Sequence, residues 1–515
     1  MLHRSLLLLY LAVITSSEIL FLAVDLPLKG KRSPPNAIWP HPQEIQISND
    51  LLYIRPGHIM ISSDMEPCDI IAKAIQRYQP VFFPPKLTMH QPPADTSNIL
   101  RSLTLNVLDN PQCEQYIQYN SNETCNPRFQ HRGVLLDSSR HFLPVPLIKK
   151  NLDVMAYNKL NVFHWHFVDN QSFPFESRTF PNLSRQGAFS SDHVYTPEDV
   201  TSIIEHARLL GIRVIPEIDT PGHTYSWGKS MPELITVCWA NGKPYQAIYG
   251  QHGEMEIFNP IEPRVYSTMD ALLREVKSIF PSNYIHLVKL PPGTIVQIWK
   301  GTSDDDISDE WAPYLNEIAG QGYNVILSSP WYINYINYGH YRTNTTIVNL
   351  EFFKYYEVEP LRDFSGSDDA KIRILGGEAC LWGEFVDGTN LLARLWPKTA
   401  AVAERLWSAA SVNNSKDAQF RLDVHRCRLL RRGIPAQPIL NGYCGNYELS
   451  MPNAMINDPA FNYDISPATD LITTTIKSNS ATSYLFDAIS SMITSIFASL
   501  LLLMNITLAT ISFKY

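Results

Sequence analysis

Polar and aromatic side chains recur just after short apolar runs of this chain, a placement typical of active sites at the carboxyl ends of parallel strands. Rings of this kind stack on the face of a pyranose, and charged groups bind its hydroxyls, so the set predicts a sugar pocket. The candidates are Arg140, His141, His164, His166, Asp169, Glu217, Asp219, His223, Trp299, Trp331, Tyr332, Asn334, Trp382 and Glu384.

Each of these residues also has a structural interpretation. A strand-end tryptophan is often a core residue, and His223 follows Pro-Gly, as a turn residue would. His164 and His166 share one face of a predicted strand and suggest a metal, but no third ligand has a convincing spacing. We therefore predict no metal and no cofactor. The prediction of a site depends on six strand ends that present such groups together.

The elements that carry these side chains alternate between strands and helices, which predicts an α/β fold, a (β/α)8 barrel. Seven strands are found instead of eight. Six residues separate the strand at 284–287 from the strand at 294–299, too few for a parallel crossover, so one strand-helix unit is missing. The other predicted strands are 133–137, 161–169, 212–219, 323–331 and 372–382, and the predicted helices are 144–160, 196–211, 260–280, 309–320 and 391–407.

Composition excludes several classes of protein. The 515 residues are 45% hydrophobic and 18% charged, which is typical of a globular protein and not of a disordered or collagen-like one. The net charge of −8 and the lack of a basic face argue against a nucleic-acid partner.

Both ends of the chain suggest the secretory pathway. Residues 1–24 have the charge and apolar run of a signal peptide. The uncharged stretch 488–513 is long enough to span a bilayer, and a tail anchor, a cleaved GPI signal and a buried helix are its alternatives. Asn170 and Asn505 match the glycosylation pattern but are discounted because of their predicted surroundings. The accepted glycosylation sites are Asn122, Asn182, Asn344 and Asn413.

Six long motifs occupy residues 131–145, 158–177, 216–227, 328–334, 376–384 and 394–407. They resemble the β-N-acetylhexosaminidases, glycoside hydrolase family 20, of the animal lysosomal or secreted type. The resemblance implies an N-terminal α+β domain followed by the barrel. It also implies removal of terminal β-linked N-acetylglucosamine or N-acetylgalactosamine from glycans, and a homo- or heterodimer in the lysosome or at the cell surface. The resemblance further implies a substrate-assisted mechanism, in which the acetamido carbonyl of the substrate attacks the anomeric carbon.

The catalytic pair of the family is not found in this sequence. The family motif H-x-G-G-D-E ends its fourth strand, and there a glutamate protonates the leaving oxygen while the preceding aspartate holds the acetamido group. His286 and Leu287 match the opening of the motif, but Val288-Lys-Leu-Pro-Pro follows. Gly376-Gly-Glu378 matches the eighth strand of the family instead. We therefore predict no catalytic residue.

The binding half of the site carries over residue by residue. By resemblance, Arg140 grips the 3- and 4-hydroxyls, and Glu384 binds distal hydroxyls. Trp299 and Trp382 form walls around the acetamido group, whose carbonyl is hydrogen-bonded by Tyr332.

Three further residues resemble parts of the pocket. Asp169 and His223 resemble residues that line and support it. Asn334 fits subunits that accept anionic sugars, whereas Tyr335 stands where those subunits have arginine. Acceptance of sulfated sugars is thus left open.

The seven cysteines leave an odd one. The resemblance implies disulfides Cys68–Cys113 and Cys427–Cys444 and a free thiol at Cys380. It places the partner of Cys238 in the missing segment and offers no counterpart for Cys125.

The expected domains are a signal peptide (1–24), a truncated N-terminal α+β domain (25–126), an internally deleted barrel (127–447), a linker (448–484) and a hydrophobic tail (485–515). Three interpretations stay open. The chain is a shortened isoform or imperfect gene model of an active enzyme, a folded sugar-binding protein without hydrolysis, or a chain that does not fold stably. We expect the chain as written to be inactive and unstable.

Overall fold

Helices and strands alternate through most of the chain that the computed structural model describes. The joint at Leu287–Val288 and the predicted strand at 284–287 lie outside the described residues, as do Cys113, Cys125, Cys238, Asn122 and Asn344. The signal peptide, linker and tail also lie outside them. The described residues are 33, 37–45, 53–54, 59–65, 68–82, 99–105, 127–237, 239–240, 242–244, 257–281, 294–300, 311–334, 351–440 and 442–444.

The N-terminal part contains two short parallel strand pairs and one helix. Strand β1 (Tyr53–Ile54) pairs with β3 (Ile99–Leu100), and β2 (Met60–Ser63) pairs with β4 (Ser102–Leu105). Helix α1 (Asp69–Phe82) lies between them in sequence. These elements lie within residues 25–126, where the α+β domain is expected, and that domain stays a prediction.

The central sheet has six parallel strands, and their order across the sheet is β10 (Ile295–Ile298), β11 (Asn324–Leu327), β12 (Ile374–Leu381), β5 (His131–Asp137), β6 (Val162–His166) and β7 (Arg213–Glu217). Each of them lies within or next to a predicted strand. Strands β8 (Trp239–Ala240) and β9 (Lys243–Pro244) form a separate antiparallel pair.

Helices connect and cover these strands. The predicted start of one helix is confirmed in detail, because Thr196 and Asp199 form a reciprocal capping box. The helices are α2 (Val145–Tyr157), α3 (Asn182–Gly187), α4 (Pro197–Leu209), α5 (Tyr225–Gly228), α6 (Pro263–Ile279), α7 (Trp311–Gly320), α8 (Glu351–Tyr356), α9 (Asp368–Ile372), α10 (Leu391–Leu395), α11 (Lys398–Trp407) and α12 (Ser415–Arg431).

One predicted helix is wrong in its extent. The expected helix 391–407 is two helices, α10 and α11, separated at Trp396-Pro397. Proline has no backbone N–H and disfavours the helical conformation of the residue before it, so the chain turns there. Trp396 is fully buried at this break, and its indole donates to Asn151 Oδ1 at 3.0 Å.

Burial differs between the middle and one edge of the sheet. Every residue of β5, β6 and β7 is buried, whereas three of the four residues of β10 are only partly buried.

Within the described ranges, no helix has the length and apolar character needed to cross a bilayer. By its internal contacts the chain divides into residues 1–458 and 459–515, and all described residues belong to the first unit.

Candidate active site at the strand ends

Asp137, the last residue of β5, anchors the loop that carries Arg140. Its Oδ1 accepts from the backbone N–H groups of Ser139 at 2.8 Å and Arg140 at 3.2 Å. Its Oδ2 accepts from Arg140 Nη1 at 2.9 Å and from the backbone of Gly383 at 2.8 Å. A Cβ at Gly383 would lie 2.9 Å from that same oxygen, so only glycine lets the two loops meet this closely.

Arg140 lies between carboxylates and an aromatic face. Its Nη2 pairs with Asp169 Oδ2 at 2.8 Å, and its guanidinium carbon lies 5.2 Å from the centre of the Trp382 ring. Tyr332 approaches the same ring edge-on at 6.3 Å. A guanidinium, an indole and a phenol thus converge from three strand ends.

Asp169 is fully buried and is the junction of the site. Its oxygens face His166 Nε2 at 2.9 Å and His223 Nδ1 at 3.1 Å, in addition to Arg140. Burial alone would raise the pKa of Asp169, but its hydrogen bonds with the two histidines hold that pKa well below its usual range. His223 has a positive φ of 60° and a half-exposed side chain, so its ring lies at the surface beside the buried Asp169.

Two buried histidines link the carboxylates beneath this junction. His166 Nδ1 lies 2.7 Å from Glu217 Oε2, and His164 lies 3.2 Å from the same oxygen through Nε2. His164 Nδ1 lies 2.9 Å from Glu378 Oε1. Burial would lower the pKa of His164, but the carboxylates of Glu378 and Glu217 raise it to about 10. Burial would also lower the pKa of His166, but the neighbouring carboxylates raise it well above its usual value.

Glu378 gathers donors from across the sheet. It faces His131 Nε2 at 3.2 Å and accepts from Ser328 Oγ at 3.3 Å and from the Gln297 amide of β10. Together with the histidines, these contacts join side chains from all six strands or their ends. We call this set the buried charge network, and it consists of His131, His164, His166, Asp169, Glu217 and Glu378.

Two groups of side chains bring possible metal-ligand atoms within 4.8 Å of one another, namely His166-Glu217-Asp219 and Asp169-Asp219-His223. Both nitrogens of His166 already face carboxylates, and Asp169 already faces three positively charged or N–H-bearing side chains. The donor set is thus satisfied by its own ion pairs and does not fit a metal centre.

The structure brings together some of the predicted site residues. Arg140, Asp169, His223, Tyr332 and Trp382 form one connected cluster through the contacts above. The predicted roles of these residues in sugar binding are still predictions.

Other predicted residues lie at the margin of this cluster. Trp299 has 57% of its surface exposed, and its ring contacts Lys300 Nζ at 5.2 Å. Glu384 is exposed but close enough to raise the pKa of Arg140, and Asn334 is partly buried. Trp331 is a core residue, since it is fully buried and its indole donates to the Tyr355 carbonyl.

Sequence reasoning misses two contributors. Asp137 is the last residue of an apolar strand and is interpreted only as part of that strand. A carboxylate at the carboxyl end of such a strand is nevertheless a signal for a site residue. The sequence gives Glu378 no catalytic role, and it does not foretell the contacts of Glu378 to His131, His164 and Gln297. They depend on side chains meeting across the sheet, which spacing along one chain does not reveal.

Among the described residues, three cysteines are disulfide-bonded, one is free, and two sequon asparagines are exposed. Cys427 and Cys444 form a disulfide with an S–S distance of 2.02 Å, and Cys380 is a buried free thiol. Cys68 is also disulfide-bonded. The exposed side chains of Asn182 and Asn413 are accessible, as glycosylation requires.

Comparison with known proteins identifies similar sequences. The profile of the "Glycosyl hydrolase family 20, catalytic domain" matches residues 129–288 and 287–410. The mouse beta-hexosaminidase subunit beta is 36% identical over 542 aligned positions, covering 82% of this chain and 96% of that protein. The bovine beta-hexosaminidase subunit alpha is 34% identical, covering 79% and 95%.

Solved structures share the fold. A chitobiase from Flavobacterium johnsoniae gives a TM-score of 0.61 at 22% identity, covering 78% of this chain and 74% of that one. The N-acetyl-beta-hexosaminidase of Streptomyces plicatus gives 0.61 at 18% identity, covering 81% and 99%. With the six parallel strands, these similarities confirm the predicted α/β fold of the TIM-barrel type.

Proposed function

Because the chain belongs to glycoside hydrolase family 20, the family of β-hexosaminidases, we propose that its 515 residues bind terminal β-linked N-acetylhexosamines without hydrolysing them. Arg140 would hold ring hydroxyls, and Trp382 and Tyr332 would enclose the acetamido group. The cluster formed by these residues supports binding. The missing catalytic motif supports the absence of turnover.

The observation that carries the proposal is the joint at Leu287–Val288. After His286-Leu287 the sequence continues Val288-Lys-Leu-Pro-Pro and not Gly-Gly-Asp-Glu. The family profile matches in two parts that meet at residues 287–288. The alignment with the mouse subunit extends over 542 positions but includes 82% of this chain, so many aligned positions have no residue in this chain. A deletion that includes the catalytic pair accounts for all three facts.

The remaining carboxylates are poor replacements for the missing general acid. Loss of such an acid alone typically lowers a rate by about 10²–10⁴. Asp169, Glu217 and Glu378 face buried cations, and the pKa of Glu378 is held low by His164 and His131 although burial would raise it. Asp219 differs, because burial and the charge of Glu217 raise its pKa.

Turnover and binding are tested separately on the purified chain. We expect no release of fluorophore from an N-acetylglucosaminide and saturable quenching of tryptophan fluorescence by N-acetylglucosamine. Arg140→Met should abolish the quenching, whereas Arg274→Met, an exposed arginine on α6, should not. Turnover that disappears in Asp219→Asn would overturn the proposal and identify a replacement acid.

Hydrolysis is the second candidate function, and it would require a longer product of the same gene that contains the catalytic pair. The joint favours it, since both sides of the break match the family. Sequencing the transcript across Leu287–Val288 tests it. A segment there encoding Gly-Gly-Asp-Glu would make this chain a shortened isoform or an imperfect gene model.

We also propose a location and an assembly for the chain, on the basis of the same family membership. Entry into the secretory pathway is supported by the exposed sequons at Asn182 and Asn413, and relatives named as subunits alpha and beta support a homo- or heterodimer. Attachment through the tail stays a prediction. Mass spectrometry of the glycans tests entry into the secretory pathway, and sedimentation of the purified chain tests the dimer. Release from cells by a phospholipase specific for GPI anchors tests attachment through the tail.

A further inference from the structure

His166 lies between the carboxylates of two neighbouring strand ends, and one of those carboxylates holds the sugar-binding side chains. We propose that Glu217 and His166 are positioning residues: a doubly protonated His166, held by Glu217, fixes Asp169 so that Asp169 orients Arg140 and His223. This inference rests on the proposed sugar-binding function. It adds which buried residues position the side chains that would contact the sugar.

The protonation state follows from geometry. His166 Nδ1 lies 2.7 Å from Glu217 Oε2, and Nε2 lies 2.9 Å from Asp169 Oδ2. A ring nitrogen without hydrogen would place its lone pair against a carboxylate, so both nitrogens must donate. His166 and Asp169 are both fully buried, and water therefore does not replace a lost contact.

Asp169 transmits this arrangement to the pocket. Its Oδ2 is shared by His166 and by Arg140 Nη2 at 2.8 Å, and its Oδ1 faces His223 Nδ1 at 3.1 Å. A neutral His166 would remove a buried positive charge from beside this carboxylate. The carboxylate would then rotate toward Arg140. The Arg140 guanidinium and the His223 ring would no longer be held in a fixed position relative to each other.

Charged groups from four places face His166. Glu217 belongs to β7, where its Oε2 is also 3.2 Å from His164 Nε2, and Asp169 follows β6. Asp137 ends β5, and Arg140 Nη1 lies 3.4 Å from His166 Nε2. Asp219, just after β7, contributes a further carboxylate within 4.8 Å. Burial would lower the pKa of His166, but Glu217, Asp169 and Asp137 raise it well above its usual value.

The test compares pH dependence of binding in two variants with equally conservative changes. In the unsubstituted chain, N-acetylglucosamine affinity should change by less than about twofold between pH 5 and pH 8, because His166 stays charged. In Glu217→Gln it should be near normal at pH 5 and about tenfold weaker at pH 8, because without the Glu217 charge the pKa of His166 falls and the positive charge beside Asp169 is lost as the pH rises. Glu404→Gln replaces another fully buried carboxylate, on α11, and should leave the pH profile of binding unchanged.

Two results would overturn the proposal. One is an affinity loss in Glu217→Gln that is equal at both pH values, which a purely structural role would produce. The other is a His166 ring with one unprotonated nitrogen at pH 7 in the unsubstituted chain, measured by NMR after ¹⁵N-histidine labelling. If the unsubstituted chain binds no N-acetylglucosamine at either pH, the proposed function fails, and the NMR measurement still decides whether His166 is the doubly protonated partner of Asp169.

Discussion

Two sets of buried charges hold different parts of this molecule. The buried charge network joins the strands, whereas a second set, which we call the helix clamp, joins three helices to an N-terminal segment. Its members are Glu404 of α11, Arg421 of α12, Tyr356 of α8, His41 and Trp39. Glu404 accepts from both Arg421 Nη atoms at 2.6 and 2.8 Å, from the Tyr356 hydroxyl at 2.7 Å and from the His41 backbone at 2.7 Å. The Arg421 guanidinium covers the Trp39 ring at 4.9 Å.

The difference between the two sets is the chemistry of their cations. Arginine keeps its charge at every pH that proteins meet, so the cation of the helix clamp does not change with pH. The imidazolium cations of His164 and His166 exist only because carboxylates surround them. The network also contacts the half-exposed His223 through Asp169, whereas Glu404 is fully buried and, among the described residues, contacts no such exposed ring. The charge of the helix clamp is therefore constant, whereas the buried charge network links the stability of the sheet to the protonation of histidines near the sugar-binding cluster.

The largest effect is expected from breaking the helix clamp. Arg421→Met leaves the Glu404 carboxylate buried without its cation, which typically lowers the free energy of unfolding by about 3–5 kcal/mol. Urea unfolding followed by tryptophan fluorescence measures this loss, which should be the same at pH 6 and pH 8. Arg274→Met breaks an exposed pair with Asp270 and should change the free energy by at most about 1 kcal/mol. Similar losses in the two variants would contradict the importance of the helix clamp.

Alkaline pH should weaken the buried charge network and spare the helix clamp. The pKa of His164 is raised from near 6.5 to about 10, so its contribution is complete below about pH 6.5 and is lost as pH rises toward 10. The melting temperature should therefore fall between pH 7 and pH 10. His164→Gln should reduce the slope of that fall, and Arg421→Met should retain it. Identical slopes in the unsubstituted chain and His164→Gln would show that His164 is not charged.

A smaller effect is expected outside the buried charge network, where the loop at Gly383 contacts Asp137 and Arg140. Gly383→Ala places a Cβ 2.9 Å from Asp137 Oδ2 and 3.1 Å from Arg140 Cβ, so one loop must move, at a cost of about 1–3 kcal/mol. Affinity for N-acetylglucosamine should fall together with stability. Gly388→Ala is the matched control, because its Cβ would meet only Leu147 and Pro144 at 3.7 and 3.9 Å. Normal binding by Gly383→Ala would mean that Asp137 does not set the position of Arg140.

The sequence predicts local features of this fold better than contacts between distant segments. The alternation of elements and the capping box at Thr196 follow from periodicity and short-range hydrogen bonding, and both are confirmed. The extent of the helix at 391–407 is wrong because proline at 397 outweighs a continuous helical periodicity.

The two charge networks could not be predicted in the same way. Glu378 meets Gln297 from 81 residues away and His131 from 247, and Glu404 meets His41 from 363 residues away. Residue types at each place suggest polarity, but their pairing depends on the order of strands in the sheet and on the packing of helices. The missing strand-helix unit is inferred from a connection too short to cross the sheet, because chain length is a local constraint that sequence does carry.

The smallest effect is expected at Trp299, at the edge of the sheet. The family resemblance gives Trp299 and Trp382 the same role as walls around the acetamido group, whereas their positions in the structure predict different contributions to binding. Trp382 lies under the Arg140 guanidinium, and its removal should weaken N-acetylglucosamine binding by about tenfold, since cation–π and stacking contacts are each worth about 1 kcal/mol. Trp299 is 57% exposed on the partly buried strand end of β10, so Trp299→Ala should weaken binding by less than about twofold. Isothermal titration of both variants measures the ratio. Equal losses would mean that bound sugar draws Trp299 into the pocket, and the edge of the sheet would then belong to the site as much as its middle does.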